Sequence, residues 1–182
     1  VMFPGFVGAL ILGPDLMRIY GSEFTTGSTV LLILIFARMA NSVAEVFYST
    51  IFALDRPDIG FRIAIPVMGT NLVLNFMLVS MIGWYGAAIA TAATGTINLL
   101  LCYATVKYLI GDLKLPTTEI GKQLVACFVM GGIVWILNTV ISGSSIPITI
   151  GLVMAGAIVY TSVLIGISLR FRRKLFGVMK SF

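Results

Sequence analysis

The 182-residue sequence predicts an all-α membrane protein, a polytopic bundle of six transmembrane helices. Apolar residues make up 59% of the chain and charged residues only 10%, and the mean hydropathy is +1.07. Soluble domains contain about 45–50% apolar and about 25% charged residues. A folded domain of this size leaves much of its surface exposed and cannot remove the apolar excess from water. The composition therefore excludes a soluble protein and a disordered chain.

The positions of the charged residues predict where the spans lie. Residues 63–106 and 123–169 are stretches of 44 and 47 residues without a charge. Because one spanning helix needs about 20 apolar residues, each stretch predicts two helices. Glycines and aromatic residues at 82–86 divide the first stretch, and a Ser- and Gly-rich segment ending at Pro147 divides the second. The predicted spans are residues 1–17, 28–53, 62–82, 86–107, 123–142 and 147–169, followed by a basic tail at 170–182.

The distribution of Lys and Arg predicts the orientation. If the basic tail is cytoplasmic, ten of the twelve basic residues lie on the cytoplasmic side of the spans. They are Arg56, Arg62, Lys107, Lys114, Lys122, Arg170, Arg172, Arg173, Lys174 and Lys180. This bias follows the positive-inside rule and predicts a multi-pass protein of the cell membrane with both ends of the segment cytoplasmic. Contact with anionic membrane lipid accounts for the net charge of +5, so no nucleic-acid partner is expected.

A polar face on the second span is the strongest candidate site. Arg38, Asn41 and Glu45 are spaced three and four residues apart, which places them on one face of a helix. Arg38 lies about 15 Å from the start of this span, too deep for easy contact with the membrane surface. Arg38 and Glu45 are about 10 Å apart along the axis. That separation predicts no direct bond between them, with Asn41 as a possible bridge.

Two interpretations of this face remain open. A charge inside a span costs from about 2.5 kcal/mol upward, so the face should point at water or at polar groups on another helix. It is either a buried network that only holds the bundle together or the polar wall of a substrate pathway. In the second case Arg38 faces an anionic group, because the guanidinium can bind two phosphate oxygens at once.

The third and fourth spans add further polar and small residues. Asn71 and Asn75 lie on one face of the third span, where they either bond another helix or contact substrate. The fourth span carries columns of Gly, Ala and Thr that predict close packing, most simply against the third span. The candidate substrate-binding residues are Arg38, Asn41, Glu45, Asn71 and Asn75.

Enzymatic patterns are missing from the sequence. There is no His, no acidic pair with Asp-x-Asp spacing at a membrane face and no phosphate-binding Gly-rich loop. Cys102 and Cys127 fall within apolar spans, where they are expected to be small buried residues. We therefore expect no catalytic residues, no metal site and no cofactor, and a protein that is not an enzyme.

Several runs resemble the C-terminal half of polysaccharide-biosynthesis flippases, in the multidrug/oligosaccharidyl-lipid/polysaccharide exporter superfamily. The runs are Tyr20-Gly21-Ser22-Glu23-Phe24, Ala53-Leu54-Asp55-Arg56-Pro57, Asn71-Leu72-Val73-Leu74-Asn75 and Gly83-Trp84-Tyr85-Gly86-Ala87-Ala88-Ile89-Ala90-Thr91. The resemblance implies one lobe of a two-lobe transporter with a central cavity. It also implies export of a lipid-linked oligosaccharide by alternating access. An N-terminal lobe of the same protein is then expected as a partner, together with the substrate and membrane lipid.

Other functions compete with this one. A cation-coupled multidrug exporter of the same superfamily would use Glu45 to bind a proton or Na⁺. A scaffold subunit without transport activity is also compatible with an apolar bundle that has one polar face. A membrane glycosyltransferase should carry a large outer loop with catalytic residues, which the short predicted loops do not provide.

Overall fold

The computed structural model describes residues 2–111, 117–141 and 146–167, and the elements in these ranges are helical. The all-α prediction is confirmed. A 3₁₀ helix, Ser22–Gly27, separates the first two α-helices. The α-helices are α1 (Met2–Tyr20), α2 (Ser28–Ala53), α3 (Pro57–Ile82), α4 (Trp84–Ile110), α5 (Thr117–Val140) and α6 (Ile146–Ile167).

Five helices in the described ranges, α2 to α6, are long and apolar enough to cross a membrane. The first predicted span, residues 1–17, falls on α1, which contains Pro14. Residues 142–145 of the predicted break between the last two spans lie outside the described ranges. The predicted basic tail at 170–182 lies outside them as well. The described chain therefore has the helices that a multi-pass membrane protein requires.

The helices extend beyond several of the predicted span limits. The second predicted span matches α2 at both ends, but α3 begins at Pro57 and not at residue 62. Proline suits the first turn of a helix because it lacks an N–H, and Asp58 in that turn interacts favourably with the helix dipole. Asp55, at φ 56°, completes the turn before Arg56. The predicted limits lie at charged residues, and α3 and α4 extend beyond Arg62 and Lys107.

The chain folds into two compact units. The first contains α1, the 3₁₀ helix, α5 and α6, whose core includes Leu12, Met130, Val134 and Leu152. The second contains α2, α3 and α4 and has its own apolar core. That core is formed by Ala44, Phe47, Ile51, Ile63, Cys102 and Val106. Cys102 and Cys127 are both buried free thiols, as the sequence predicts.

A one-residue turn joins α3 to α4. Gly83 adopts φ 63° and ψ −141°, a conformation that strongly favours glycine, and its N–H donates to the Val79 carbonyl at 2.9 Å. Three residues later, Gly86 is buried directly against the backbone carbonyl of Leu78. The glycines at this predicted break therefore permit both the turn and the close approach of the two helices.

Replacing Gly86 by Ala should destabilise the α3–α4 hairpin. An added Cβ overlaps the Leu78 carbonyl and lies 2.8 Å from the Val79 nitrogen, and backbone cannot yield as a flexible side chain can. Overpacking of this kind costs about 1–3 kcal/mol. We expect a lower thermal-unfolding midpoint for the purified protein in detergent. Gly69→Ala is the control, because nothing lies within 4 Å of its added Cβ. Equal midpoints for the two variants would contradict this packing.

Candidate functional site

The second unit contains a cavity of about 370 Å³ between α2, α3 and α4. Its polar lining residues are Asn41 and Tyr48 from α2, Asn71 from α3, and Thr94 and Asn98 from α4. Asn41 and Asn71 stand near the midpoints of their 26-residue helices, and Thr94 and Asn98 stand in the central part of α4. The three helices thus bring neutral polar side chains together at the depth where a membrane provides least water.

A short chain of hydrogen bonds connects α3 to α4 at this cavity. The Asn71 amide nitrogen donates to Thr94 Oγ1 at 2.7 Å, and Thr94 Oγ1 donates to the Ala90 carbonyl at 2.8 Å. Asn75 donates from its own helix to Asn71 Oδ1 at 3.0 Å. Asn71 therefore has partners for both ends of its amide. Asn75 fixes that amide in place and is not among the residues that line the cavity.

A second bond connects α2 to α4. The Tyr48 hydroxyl donates to Asn98 Oδ1 at 2.9 Å, and the Cys102 thiol lies 3.7 Å from the same oxygen. The amide nitrogen of Asn98 has no hydrogen-bond partner among the described residues. Tyr48, Thr94 and Asn98 are not among the site residues that the sequence predicts. The spacing of Thr94 and Asn98, four residues apart on one face of α4, is the signal that could have found them.

Asn41 meets α4 at Gly95. An added Cβ on Gly95 would lie 3.0 Å from the Asn41 amide nitrogen and 3.4 Å from the Ala37 carbonyl oxygen. The Asn41 amide lines the cavity, and in the described part of the chain it has no hydrogen-bond partner. The small residues of α4 thus pack against two different helices. Gly86 packs against α3 as predicted, whereas Gly95 packs against α2 and leaves room for Asn41.

Arg38 and Glu45 form an ion pair on the same helix. Arg38 Nη1 lies 3.3 Å from Glu45 Oε1, so the prediction that the two are too far apart for a direct bond is wrong. The Cα–Cβ bonds of both residues tilt toward the N-terminus, so the contact requires the long Arg38 side chain to extend along the helix surface to the Glu45 carboxylate. The side chains are 64% and 61% exposed, respectively. No other helix covers this charged pair within the second unit.

The five predicted site residues therefore separate into three positions. Arg38 and Glu45 form an exposed ion pair, Asn41 and Asn71 line the cavity, and Asn75 supports Asn71. Asn41 is three residues from Arg38 and four from Glu45, which makes it a neighbour of both on the helix surface. The charged pair and the uncharged cavity are thus adjacent. No cluster of His, Cys, Asp and Glu suited to a metal ion occurs among the described residues.

Comparison with known proteins finds two relatives from Haloferax volcanii. The chain is 33% identical over 176 residues to the protein named "Probable flippase AglR", covering 94% of this chain and 37% of that protein. It is 32% identical over 165 residues to "Probable low-salt glycan biosynthesis flippase Agl15", covering 90% of this chain and 34% of that protein. The chain thus spans little more than a third of either relative. No family model and no solved structure matches it.

The hydrogen bond between Asn71 and Thr94 should stabilise the packing of α3 on α4. In a double-mutant cycle, Asn71→Leu and Thr94→Val should show a coupling free energy of about 1 kcal/mol, the size of interhelical bonds in membranes. The measurement is the unfolding free energy of the purified protein in detergent or bicelles. Thr96→Val is the matched control, because Thr96 bonds the Ala92 carbonyl of its own helix. Equal coupling of Asn71→Leu to both Thr variants would rule out the interhelical bond as its source.

Proposed function

We propose that the chain belongs to the flippases and has a transport role, because nearly its whole length is related to two proteins named flippases. We propose that it forms part of a flippase that moves lipid-linked oligosaccharide across the cell membrane. The transport serves the assembly of surface glycan. It proceeds by alternating access, with this segment as one lobe and an N-terminal lobe of the same protein as the other. The greater length of the two relatives is consistent with such a second lobe.

The exposed charged pair in the middle of α2 is the observation that carries this proposal. Arg38 and Glu45 lie well inside an apolar helix, where contact with hydrocarbon would be costly. Their face of α2 therefore lines the aqueous transport pathway. There the guanidinium of Arg38 binds the phosphate groups that link the oligosaccharide to its lipid, because its planar fork of donors matches phosphate oxygens.

Glu45 holds Arg38 in position between transport cycles. An ion pair between exposed side chains contributes only about 0–1 kcal/mol, so an incoming phosphate can displace the carboxylate. Asn41 and Asn71 contribute uncharged hydrogen-bonding groups beside the phosphate site, and Asn75 orients Asn71. The substrate-binding set thus comprises Arg38, Asn41, Glu45 and Asn71, with Asn75 in support. The chemistry required is binding and movement, which needs neither a catalytic residue nor a cofactor.

Removing the positive charge of Arg38 from this face should stop transport. We expect Arg38→Ala to reduce delivery of surface glycan at least tenfold, and Arg38→Lys to retain part of it, because Lys keeps the charge but loses the two-oxygen contact. The protein that carries this segment is expressed in a host deprived of its own oligosaccharide flippase. Surface glycan and accumulated lipid-linked oligosaccharide are then quantified, along with the amount of protein in the membrane.

Lys122→Ala is the matched control for the loss of an ion pair, because Lys122 binds Glu119 at 2.9 Å in the other unit. It should leave glycan delivery unchanged. Normal delivery by Arg38→Ala at normal membrane abundance would refute the proposed phosphate site. Glu45→Gln separates the flippase from a cation-coupled exporter. In a flippase it should weaken transport less than Arg38→Ala, whereas in the exporter it should abolish transport and Arg38→Ala should matter less.

The proposed orientation places the α2–α3 turn in the cytoplasm and the α3–α4 turn outside. Single cysteines introduced by Arg56→Cys and Trp84→Cys test it, in a protein from which all other cysteines have been removed. Both positions are exposed. A membrane-impermeant maleimide should label Trp84→Cys in intact cells and Arg56→Cys only after lysis. The reverse pattern would invert the proposed topology.

A further inference from the structure

We infer that the cavity between α2, α3 and α4 binds one uncharged sugar ring, the first sugar attached to the phosphate groups of the transported lipid. The inference rests on the proposed flippase function and specifies a second part of the same site. It divides substrate recognition between two adjacent places. Arg38 on the exposed face of α2 binds the phosphate, and the neutral cavity beside it binds the first ring.

The lining of the cavity favours a neutral ligand rich in hydrogen-bonding groups. Its polar residues are amides and hydroxyls, and none of its lining residues carries a charge. An ion placed there would be desolvated without an opposite charge, which is strongly unfavourable. A lipid chain is also disfavoured, because it would cover the amides of Asn41 and Asn98 without offering them a partner. A sugar hydroxyl both donates and accepts, and so does an amide.

The hydrogen bonds already present show which groups remain for a ligand. Asn71 Oδ1 and Asn98 Oδ1 each already accept a bond from a neighbouring side chain, which leaves each oxygen with reduced acceptor capacity. The amide of Asn41 and the nitrogen of Asn98 have no partner within the described ranges and belong to residues that line the cavity. The free groups are thus the N–H donors of Asn41 and Asn98 and the carbonyl oxygen of Asn41, which suit hydroxyl groups because a hydroxyl both accepts and donates.

The size of the cavity and its position beside Arg38 suit the first sugar of the substrate. At about 370 Å³ it lies near the lower end of the range for small-molecule sites, about 300–1,000 Å³. This volume accommodates a single ring, and the remaining sugars of an oligosaccharide would extend outside it. Asn41 is separated from both Arg38 and Glu45 by about 5–6 Å between Cβ atoms, the usual distance for residues three or four apart on a helix. A ring bonded directly to the phosphate matches this spacing. Val67 and Met68 supply an apolar wall for its C–H face.

Binding of defined lipid diphosphates to the purified full-length protein tests the inference. The probes are a short-chain polyprenyl diphosphate without sugar and the same lipid carrying glucose, galactose or N-acetylglucosamine. At least one glycosylated probe should bind the unaltered protein about tenfold more tightly than the bare lipid. Asn41→Ala should lower the ratio of glycosylated-probe affinity to bare-lipid affinity about tenfold, because loss of the hydrogen bonds to one amide accounts for about tenfold.

Gly95→Ala provides a second, independent variant. The added methyl group presses on the Asn41 amide at 3.0 Å, so it should also abolish the preference for the glycosylated probe. Gly69→Ala, whose added methyl group touches nothing, is the matched control and should behave as the unaltered protein. Retained binding of the bare lipid shows that each variant is folded.

The outcomes separate this inference from the proposed function. Equal affinity of the unaltered protein for the bare lipid and all three glycosylated probes would overturn the sugar site and leave a cavity that holds only water. Equal weakening of every probe by Asn41→Ala would also overturn it. Arg38→Ala should weaken bare and glycosylated probes alike. Failure of all the probes to bind, or affinities that do not depend on Arg38, would instead overturn the proposed function.

Discussion

The lack of water in the membrane interior constrains the polar side chains in the part of this chain that carries the candidate site. A polar side chain there must find a partner on another helix or face a space that water can enter. The Asn71 amide satisfies this requirement by donating to Thr94, and the Tyr48 hydroxyl does so by donating to Asn98. These two bonds join α3 and α2 to α4. They hold three otherwise apolar helices in one register around the cavity.

Small residues make these bonds possible. Gly86 permits α3 and α4 to approach until backbone touches backbone, and Gly95 does the same for α4 beside Asn41. Close approach matters because helices in a membrane gain little from the hydrophobic effect and associate through packing and hydrogen bonds. A larger side chain at either position would separate the helices and lengthen the bonds between them. The glycines of this unit therefore permit the close helix approach on which the hydrogen bonds of its asparagines depend.

The charged pair and the cavity present different kinds of binding group on neighbouring surfaces. The pair of Arg38 and Glu45 is exposed, and its weak mutual attraction leaves the cation open to competition by a stronger anion. The cavity is neutral, and two of its amide oxygens are already engaged. A ligand with a charged part bonded to a neutral, hydroxyl-rich part is complementary to this arrangement. The lipid-linked saccharide that we propose as substrate has that chemistry.

The sequence by itself determined the class of the protein and the placement of its helices. Composition required a membrane environment, the two uncharged stretches predicted four of the six helices, and glycines located the turn at 82–86, because each depends only on local chemistry or chain length. The resemblance to flippases was also visible in short runs and is confirmed by the two relatives. The polar face of α2 could be identified from the spacing of Arg38, Asn41 and Glu45 alone.

Only the tertiary structure decided which polar groups meet. Tyr48, Thr94 and Asn98 join the site because α4 packs against both α2 and α3, and no spacing within one helix reveals a partner on another. The ion pair of Arg38 and Glu45 depends on the length of the side chains, which the distance between the two residues along the helix axis does not include. Helical periodicity assigns residues to faces. The packing of three helices determines which amides are bonded and which remain free for a ligand.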